Sequence, residues 1–229
     1  MTVTTTRLTQ AAAVATAVAG TIFVLVQINH PPTVLASATT TDWFVRNAAK
    51  TVMAVLALVG FTGIYLRQRA KVGVLGLAGY LLLGMGYFML FGTEFVATIV
   101  VPTAAPSAPG YIGDVIAAAF GGKPVGDIGP FMTVFALTAV GYAGGGLLFG
   151  IATFRAGILS KSAAALLAVG NVATLSLAVL PSSFNRPMAV PTGIALIGLG
   201  VSLWRDQARQ QTAAVTTTAA MPQPAAAVR

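Results

Sequence analysis

The sequence predicts an all-α integral membrane protein, a bundle of six transmembrane helices with its N- and C-termini in the cytoplasm. Of the 229 residues, 56% are hydrophobic and only 8% are charged, and the mean hydropathy is +0.85. A soluble domain carries about 25% charged residues, so this chain lacks the polar surface that water requires. Its apolar runs have the length of membrane helices, and the short alternating segments of a membrane β-barrel are absent from the sequence.

The apolar runs are predicted to form one membrane domain, residues 1–205. We expect the first run to be a retained span rather than a cleaved signal peptide, although Ala36-Ser37-Ala38 resembles a cleavage site. Residues 206–229 are rich in Gln, Ala, Thr and Pro, a composition that predicts a disordered tail. The predicted spans are residues 10–28, 48–66, 72–101, 130–153, 162–180 and 188–204.

The distribution of basic residues predicts how these spans are oriented in the plasma (inner) membrane. Residues 67–71 and 154–161 are basic segments between apolar runs and are predicted to be cytoplasmic turns. Because cytoplasmic loops carry the excess of Lys and Arg, the bias toward one side places the N-terminus inside. The predicted inner ends hold Arg7, Arg67, Arg69, Lys71, Arg155, Lys161, Arg205 and Arg209, and the predicted outer ends hold Arg46, Lys50, Lys123 and Arg186.

Two regions depart from a simple span-and-turn pattern. The third apolar run is too long for the membrane, so its helix should tilt, break near Gly92 or project as far as Pro102. The outer loop that follows contains residues 111–120, which predict a short amphipathic helix lying at the interface.

Small residues spaced for close helix contacts recur in the third and fourth spans. Gly141 and Gly145, then Gly146 and Gly150, form two small-xxx-small pairs, and Gly73, Gly76 and Gly79 mark a second contact face. Such faces predict packing within one bundle, and the alternative is a homo-oligomer through the glycine faces.

The candidate site residues gather at the predicted outer ends of the second and third spans. Asp42, Arg46 and Lys50 follow one another at intervals of four residues on one helix face. Glu94 is the only acid inside an apolar run, and counting residues from the turn puts it at the depth of Lys50. An ionisable group inside a membrane span favours a functional site. We therefore predict a polar cluster of Lys50, Glu94 and Arg46, with Asp42 paired to Arg46.

Two further polar residues are candidates for ligand binding. His30 lies at the outer end of the first span, and Asn171 lies in the middle of the fifth. For His30 the alternative is a helix-end cap, and for Asn171 it is a hydrogen bond between helices. The chain has no Cys and one His, so we predict no metal site and no cofactor from its own residues. The placement of the basic residues at span ends argues against a nucleic-acid partner.

Two stretches also resemble a known group of proteins. They are the segment from His30-Pro31 to Trp43, and Tyr65-Leu66-Arg67-Gln68 followed by Gly73-Val74-Leu75-Gly76-Leu77-Ala78-Gly79. Together they resemble small uncharacterised six-span membrane proteins of high-GC bacteria. The resemblance implies a six-helix bundle and carries no assigned activity.

The leading hypothesis for function is a pocket, open to the outer leaflet, that binds a lipophilic small molecule. If the site is catalytic, Glu94 would act as the acid or base and Lys50 would stabilise charge. Isomerisation or cyclisation of an isoprenoid-like substrate would suit such a site. The alternatives are a small transporter or channel, which needs a polar path across the membrane, and an accessory subunit that packs against a larger membrane complex.

Overall fold

The computed structural model describes residues 4–174 and 185–220, and within them the chain is all-α. This confirms the predicted helical class. Four helices are long and apolar enough to cross a membrane, namely Thr5–Leu25, Thr41–Ala104, Phe131–Ala156 and Pro187–Ala213. The described residues form six α-helices and a 3-10 turn at Leu35–Ser37; the helices are α1 (Thr5–Leu25), α2 (Thr41–Ala104), α3 (Pro109–Ala119), α4 (Phe131–Ala156), α5 (Lys161–Ala173) and α6 (Asn185–Ala220).

Helix α2 is a hairpin of two arms, residues 41–72 and 74–104, which reverse at Gly73. The backbone of Gly73 has φ 57° and ψ −158°, a conformation that is open almost only to glycine. The arms run antiparallel, since Tyr65 stacks on Tyr80 with ring centroids 4.7 Å apart and Thr62 Oγ1 lies 3.0 Å from the Tyr80 hydroxyl. Two expectations were therefore wrong: residues 67–71 are helical rather than a turn, and Gly73 makes the reversal rather than a helix contact.

The third apolar run does not break at Gly92. The second arm of α2 is helical through that residue and through Pro102, and it ends at Ala104. Of the three predicted solutions to the excess length, the helix therefore does not break but continues beyond Pro102.

The helices form a closed ring in which each packs on its neighbours. The first arm of α2 contacts α1, α1 contacts α6, α6 contacts α5, α5 contacts α4, and α4 contacts the second arm of α2. The centre of the ring is filled by large side chains, of which Phe61, Tyr87 and Phe149 are fully buried. The two arms of α2 are therefore neighbours in the ring, and residues on their facing sides lie next to each other.

Glycines make the close contacts of this ring. Gly20 on α1 packs on Gly193 of α6, and Gly86 on the second arm packs on Gly141 of α4, so closely that a Cβ atom would overlap the facing backbone. The predicted glycine faces of α4 are both used in this way. Gly141 and Gly145 are buried against α2, and Gly146 and Gly150 are buried against α5. The expected packing within one bundle is therefore confirmed for these four glycines, and the chain's own helices cover the surface that the alternative, a homo-oligomer, would have used.

Helix α6 extends well past the predicted end of the last span. The prediction of disorder from residue 206 was wrong for residues 206–220, which are helical, and residues 221–229 lie outside the described residues. An ion pair anchors the extension, since Arg67 Nη2 donates to Asp206 Oδ1 at 3.1 Å and Gln210 donates to the other oxygen at 2.7 Å. The basic segment before Gly73 thereby holds the start of the extension to the hairpin.

Helix α5 covers the first part of the predicted fifth span, Lys161–Ala173, and these 13 residues measure about 20 Å. The remainder of the predicted span and the turn before α6, residues 175–184, lie outside the described residues. The turn between α4 and α5 agrees with the sequence: Gly157 ends α4 with φ 64°, and the Ser160 side chain caps α5.

Candidate functional site

A cavity of about 350 Å³ lies at the distal end of the bundle, meaning the end opposite Gly73. Five of the six helices contribute to its lining, α6 with a single residue, and Thr174, directly after α5, also lines it. Most of its wall is apolar, and the larger apolar side chains are Phe23, Met53, Leu90, Phe131 and Phe135. The volume is within the range of sites for small organic ligands, about 300–1,000 Å³.

An ion pair between the two arms of α2 forms part of the cavity wall. Lys50 Nζ lies 3.5 Å from Glu94 Oε2, and the two side chains are only 13% and 16% exposed. The sequence predicted that these groups lie at one depth, and the structure brings them together. Their predicted catalytic roles remain a prediction, because a charge pair facing a cavity serves binding as well as chemistry.

A short network, which the sequence analysis missed, positions the Lys50 ammonium. Lys50 Nζ donates to Asn47 Oδ1 at 3.0 Å, and Asn47 Nδ2 donates to the Trp43 carbonyl at 2.8 Å. Trp43 Nε1 in turn donates to the Ala97 carbonyl on the second arm at 2.7 Å. Asn47 and Trp43 both line the cavity. The spacing of three residues between Asn47 and Lys50 was a usable signal, because it places them on one helix face.

Arg46 and Asp42 do not belong to this cavity. Arg46 Nε donates to both carboxylate oxygens of Asp42 at 2.9 Å. The other guanidinium nitrogens donate to backbone carbonyls after α1, at Val26, Ile28 and Asn29. Arg46 therefore holds the turn that follows α1, by hydrogen bonds to three of its backbone carbonyls. Arg46 and Asp42 pair as predicted but lie outside the cavity lining, and their predicted part in ligand binding stays a prediction.

His30 lies in the cavity lining, as the binding hypothesis expects. Its Nδ1 atom lies 2.8 Å from the Pro31 carbonyl oxygen, a contact that fixes the ring beside the end of α1. The preceding residue, Asn29, has φ 49° and turns the chain away from the helix axis. Arg46 therefore acts on the same short segment that carries His30, and its contact with Asn29 holds the imidazole near the cavity.

Asn171 is buried between helices and is absent from the cavity lining. Its Nδ2 atom donates to the Tyr142 carbonyl on α4 at 2.9 Å, and its Oδ1 atom accepts from the Thr192 hydroxyl on α6 at 3.0 Å. The side chain packs over Gly146, where a Cβ atom would overlap it. Asn171 therefore makes the hydrogen bonds between helices that the sequence also indicated, and its predicted role in ligand binding stays a prediction.

Helix α3 covers the distal end of the cavity, a role that the sequence analysis missed. The amphipathic helix was predicted correctly, but Ile112, Val115 and Ile116 are buried against the bundle rather than facing lipid. Val115, Ile116 and Phe120 line the cavity. The loop after α3 is held by Asp114, whose carboxylate accepts from the backbone N–H groups of Val125 and Gly126 at 3.0 and 2.8 Å. These two hydrogen bonds lower the pKa of the Asp114 carboxyl.

Comparisons of this chain with known proteins found no relative. No protein-family model, curated protein or solved structure matches the chain. The resemblance to six-span membrane proteins of high-GC bacteria therefore stays a prediction. Among the described residues, no group of three or more acidic or histidine side chains is placed to hold a metal ion.

Proposed function

We propose that the chain is a six-span membrane protein whose distal cavity binds a lipophilic small molecule. The observation that supports this most directly is the Lys50–Glu94 ion pair in an otherwise mostly apolar wall. Two charged groups that are largely removed from water cost free energy, and hydrophobic residues of the same volume would pack at least as well. Beside a cavity, the ion pair can recognise a polar group of a ligand at a fixed point of the wall. Apolar residues cannot supply such recognition.

The proposed topology places this cavity at the outer leaflet. Lys50 is 23 residues from Gly73 and Glu94 is 21 residues from it, which correspond to about 34 Å and about 32 Å of helix. Both groups therefore lie near the far boundary of a hydrocarbon core about 30 Å thick. With the basic hairpin turn in the cytoplasm, a lipophilic ligand would enter the cavity from the outer leaflet.

The packing below the cavity favours binding over transport. A transporter needs a polar route to the opposite face of the membrane. In the described residues, the fully buried rings of Phe61, Tyr87 and Phe149 occupy the bundle centre, with Phe61 4.9 Å from Tyr87 and 6.1 Å from Phe149 between ring centroids. Acid or base chemistry at Glu94, with Lys50 stabilising charge, would be a further use of the same binding site.

Trp43 supplies a direct test, because it lines the cavity while Trp204, the only other tryptophan, is exposed on α6. In a Trp204→Phe background reconstituted in nanodiscs, we expect ω-bromododecanol or ω-bromododecanoate to quench Trp43 fluorescence with a saturable dependence on bilayer mole fraction. Filling the cavity with Ala139→Phe should abolish the saturable component. The matched control is Ala136→Phe, an exposed position on α4 outside the lining.

If quenching rises linearly with bilayer mole fraction in the Trp204→Phe protein and in both alanine variants, it reflects contact with the bilayer alone, and the proposal is wrong. Saturable quenching that survives Ala139→Phe would place the probe elsewhere and would equally contradict it.

A further inference from the structure

The charges that face the cavity sum to zero. Among the described residues of its lining, Lys50 and Glu94 are the charged side chains, and they are opposite in sign. His30 also lines the cavity, and its imidazole is counted here as neutral. Arg46 lies outside the lining, where the Asp42 carboxylate and three backbone carbonyls surround its guanidinium. It therefore adds little net charge to the cavity.

A site without net charge discriminates against charged ligands. A carboxylate or phosphate that entered beside Lys50 would displace or repel Glu94 and leave one negative charge uncompensated. An ammonium group beside Glu94 would leave one positive charge uncompensated. An unpaired charge in such a poorly hydrated place is costly, so each kind of ion loses much of the attraction that its favourable partner offers.

A hydroxyl group matches both members of the pair without this cost. A hydroxyl donates one hydrogen bond and accepts up to two, so it can accept from the Lys50 ammonium while it donates to the Glu94 carboxylate. The Nζ–Oε2 distance of 3.5 Å is longer than the 2.7–2.9 Å of a tight charge-assisted hydrogen bond. The pair is thus held by charge attraction, with Asn47 as the closer hydrogen-bond partner of Lys50 at 3.0 Å.

We infer that the ligand of this cavity is a lipophilic alcohol, an uncharged molecule whose hydroxyl bridges Lys50 and Glu94. This inference rests on the proposed function and narrows it to one chemical class of ligand. The hydrocarbon part would lie among the aromatic side chains of the lining, such as Phe131, Phe135 and Phe120 beneath α3.

Three unbrominated competitors with identical chains test the class of head group. Dodecanol, dodecanoate and dodecylammonium are added separately, at mildly alkaline pH and at equal measured bilayer mole fraction, to the Trp204→Phe protein quenched by ω-bromododecanol. We expect dodecanol to restore Trp43 fluorescence at a mole fraction at least about tenfold lower than either ion. Each ion can use only one member of the pair, and the hydrogen bond to a charged group that it forgoes is worth roughly that factor or more.

Removing one charge at a time should switch the preference. In Glu94→Gln the remaining ammonium should make dodecanoate the strongest competitor, and in Lys50→Met the remaining carboxylate should favour dodecylammonium. The double variant Lys50→Met/Glu94→Gln serves where a single variant fails to fold. Its cavity carries neither charge, so the hydroxyl loses both charged partners, and we expect the half-saturation of ω-bromododecanol quenching to move to a bilayer mole fraction at least about tenfold higher.

The outcomes separate the inference from the function beneath it. If dodecanoate or dodecylammonium competes as well as dodecanol against the parent protein, the assignment to an alcohol is wrong while lipophilic binding stands. If neither brominated probe quenches Trp43 in a saturable way, the proposed function fails first and the alcohol assignment fails with it. An unchanged half-saturation of ω-bromododecanol quenching in the double variant would show that these two residues do not bind the hydroxyl group, and the alcohol assignment would be wrong.

Discussion

The Lys50–Glu94 ion pair makes a quantitative prediction about stability. At 3.5 Å, two unit charges attract by about 5 kcal/mol at an effective dielectric constant of 20, and loss of hydration by both groups offsets part of this. Removing one partner leaves the other charge largely buried, which costs about 3 kcal/mol at the low end for buried pairs. We therefore expect Lys50→Met and Glu94→Gln each to lower the free energy of unfolding by about 3 kcal/mol. The double variant should lose about the same amount, rather than twice as much.

The measurement is a double-mutant cycle on purified protein. SDS-induced unfolding in mixed micelles, followed by circular dichroism, gives the unfolding free energy of the parent, both single variants and the double variant. The Asp42–Arg46 pair is the matched control, because Asp42 is 49% exposed and its coupling to Arg46 should stay below about 1 kcal/mol. Additive losses at Lys50 and Glu94 would mean that the two groups do not interact, and the reasoning about their shared cavity would be refuted.

Three further predictions concern the frame around the cavity. Gly73→Ala should lower the unfolding free energy by about 1–3 kcal/mol in the same SDS assay, because its backbone conformation strains any side chain; Gly84→Ala, at an open helical position, should cost nothing. Asn171→Ala should cost about 1–3 kcal/mol by leaving its buried partners unmatched, yet the half-saturation of tryptophan quenching should not change. Because the Asp114 pKa is lowered in the folded state, its two loop contacts should weaken as the pH falls below about 4, which the amide shift of Gly126 in an NMR titration would report.

The hairpin and its ion pair could be predicted because both depend on distance along a helix. Rise per residue is nearly constant, so counting from the turn gives the depth of Lys50 and Glu94 without knowledge of any neighbour. The exact reversal at Gly73 was harder to predict, because the basic residues before it mark the membrane boundary and not the backbone conformation. The same arithmetic could not say which neighbouring group a long side chain reaches.

Arg46 and Asn171 show where prediction from the sequence ends. Arg46 shares a helix face with Lys50, but its partners are carbonyls in the turn after another helix, and such acceptors carry no mark in the sequence. For Asn171 the sequence favoured a hydrogen bond between helices over a place in a pocket, but it could not name the partners. The burial of Asn171 beneath α4 depends on Gly146, which lets the amide reach the Tyr142 carbonyl. The helical start of the tail depends in the same way on a distant partner, Arg67.

The position of the cavity follows from where the close glycine contacts stop. Gly79 and Gly86 bring the second arm of α2 against α4, and Gly141 and Gly145 of α4 pack against this arm in turn. Two turns further toward the distal end, Gly92 faces open space, and the arm carries Thr93 and Glu94 instead of a glycine contact. The helices separate there, and α3 covers the gap at the distal end of the bundle without filling it. A sequence with further close glycine contacts on this arm would seal the bundle, so the volume beside Lys50 and Glu94 arises from the same packing rule that excludes space elsewhere.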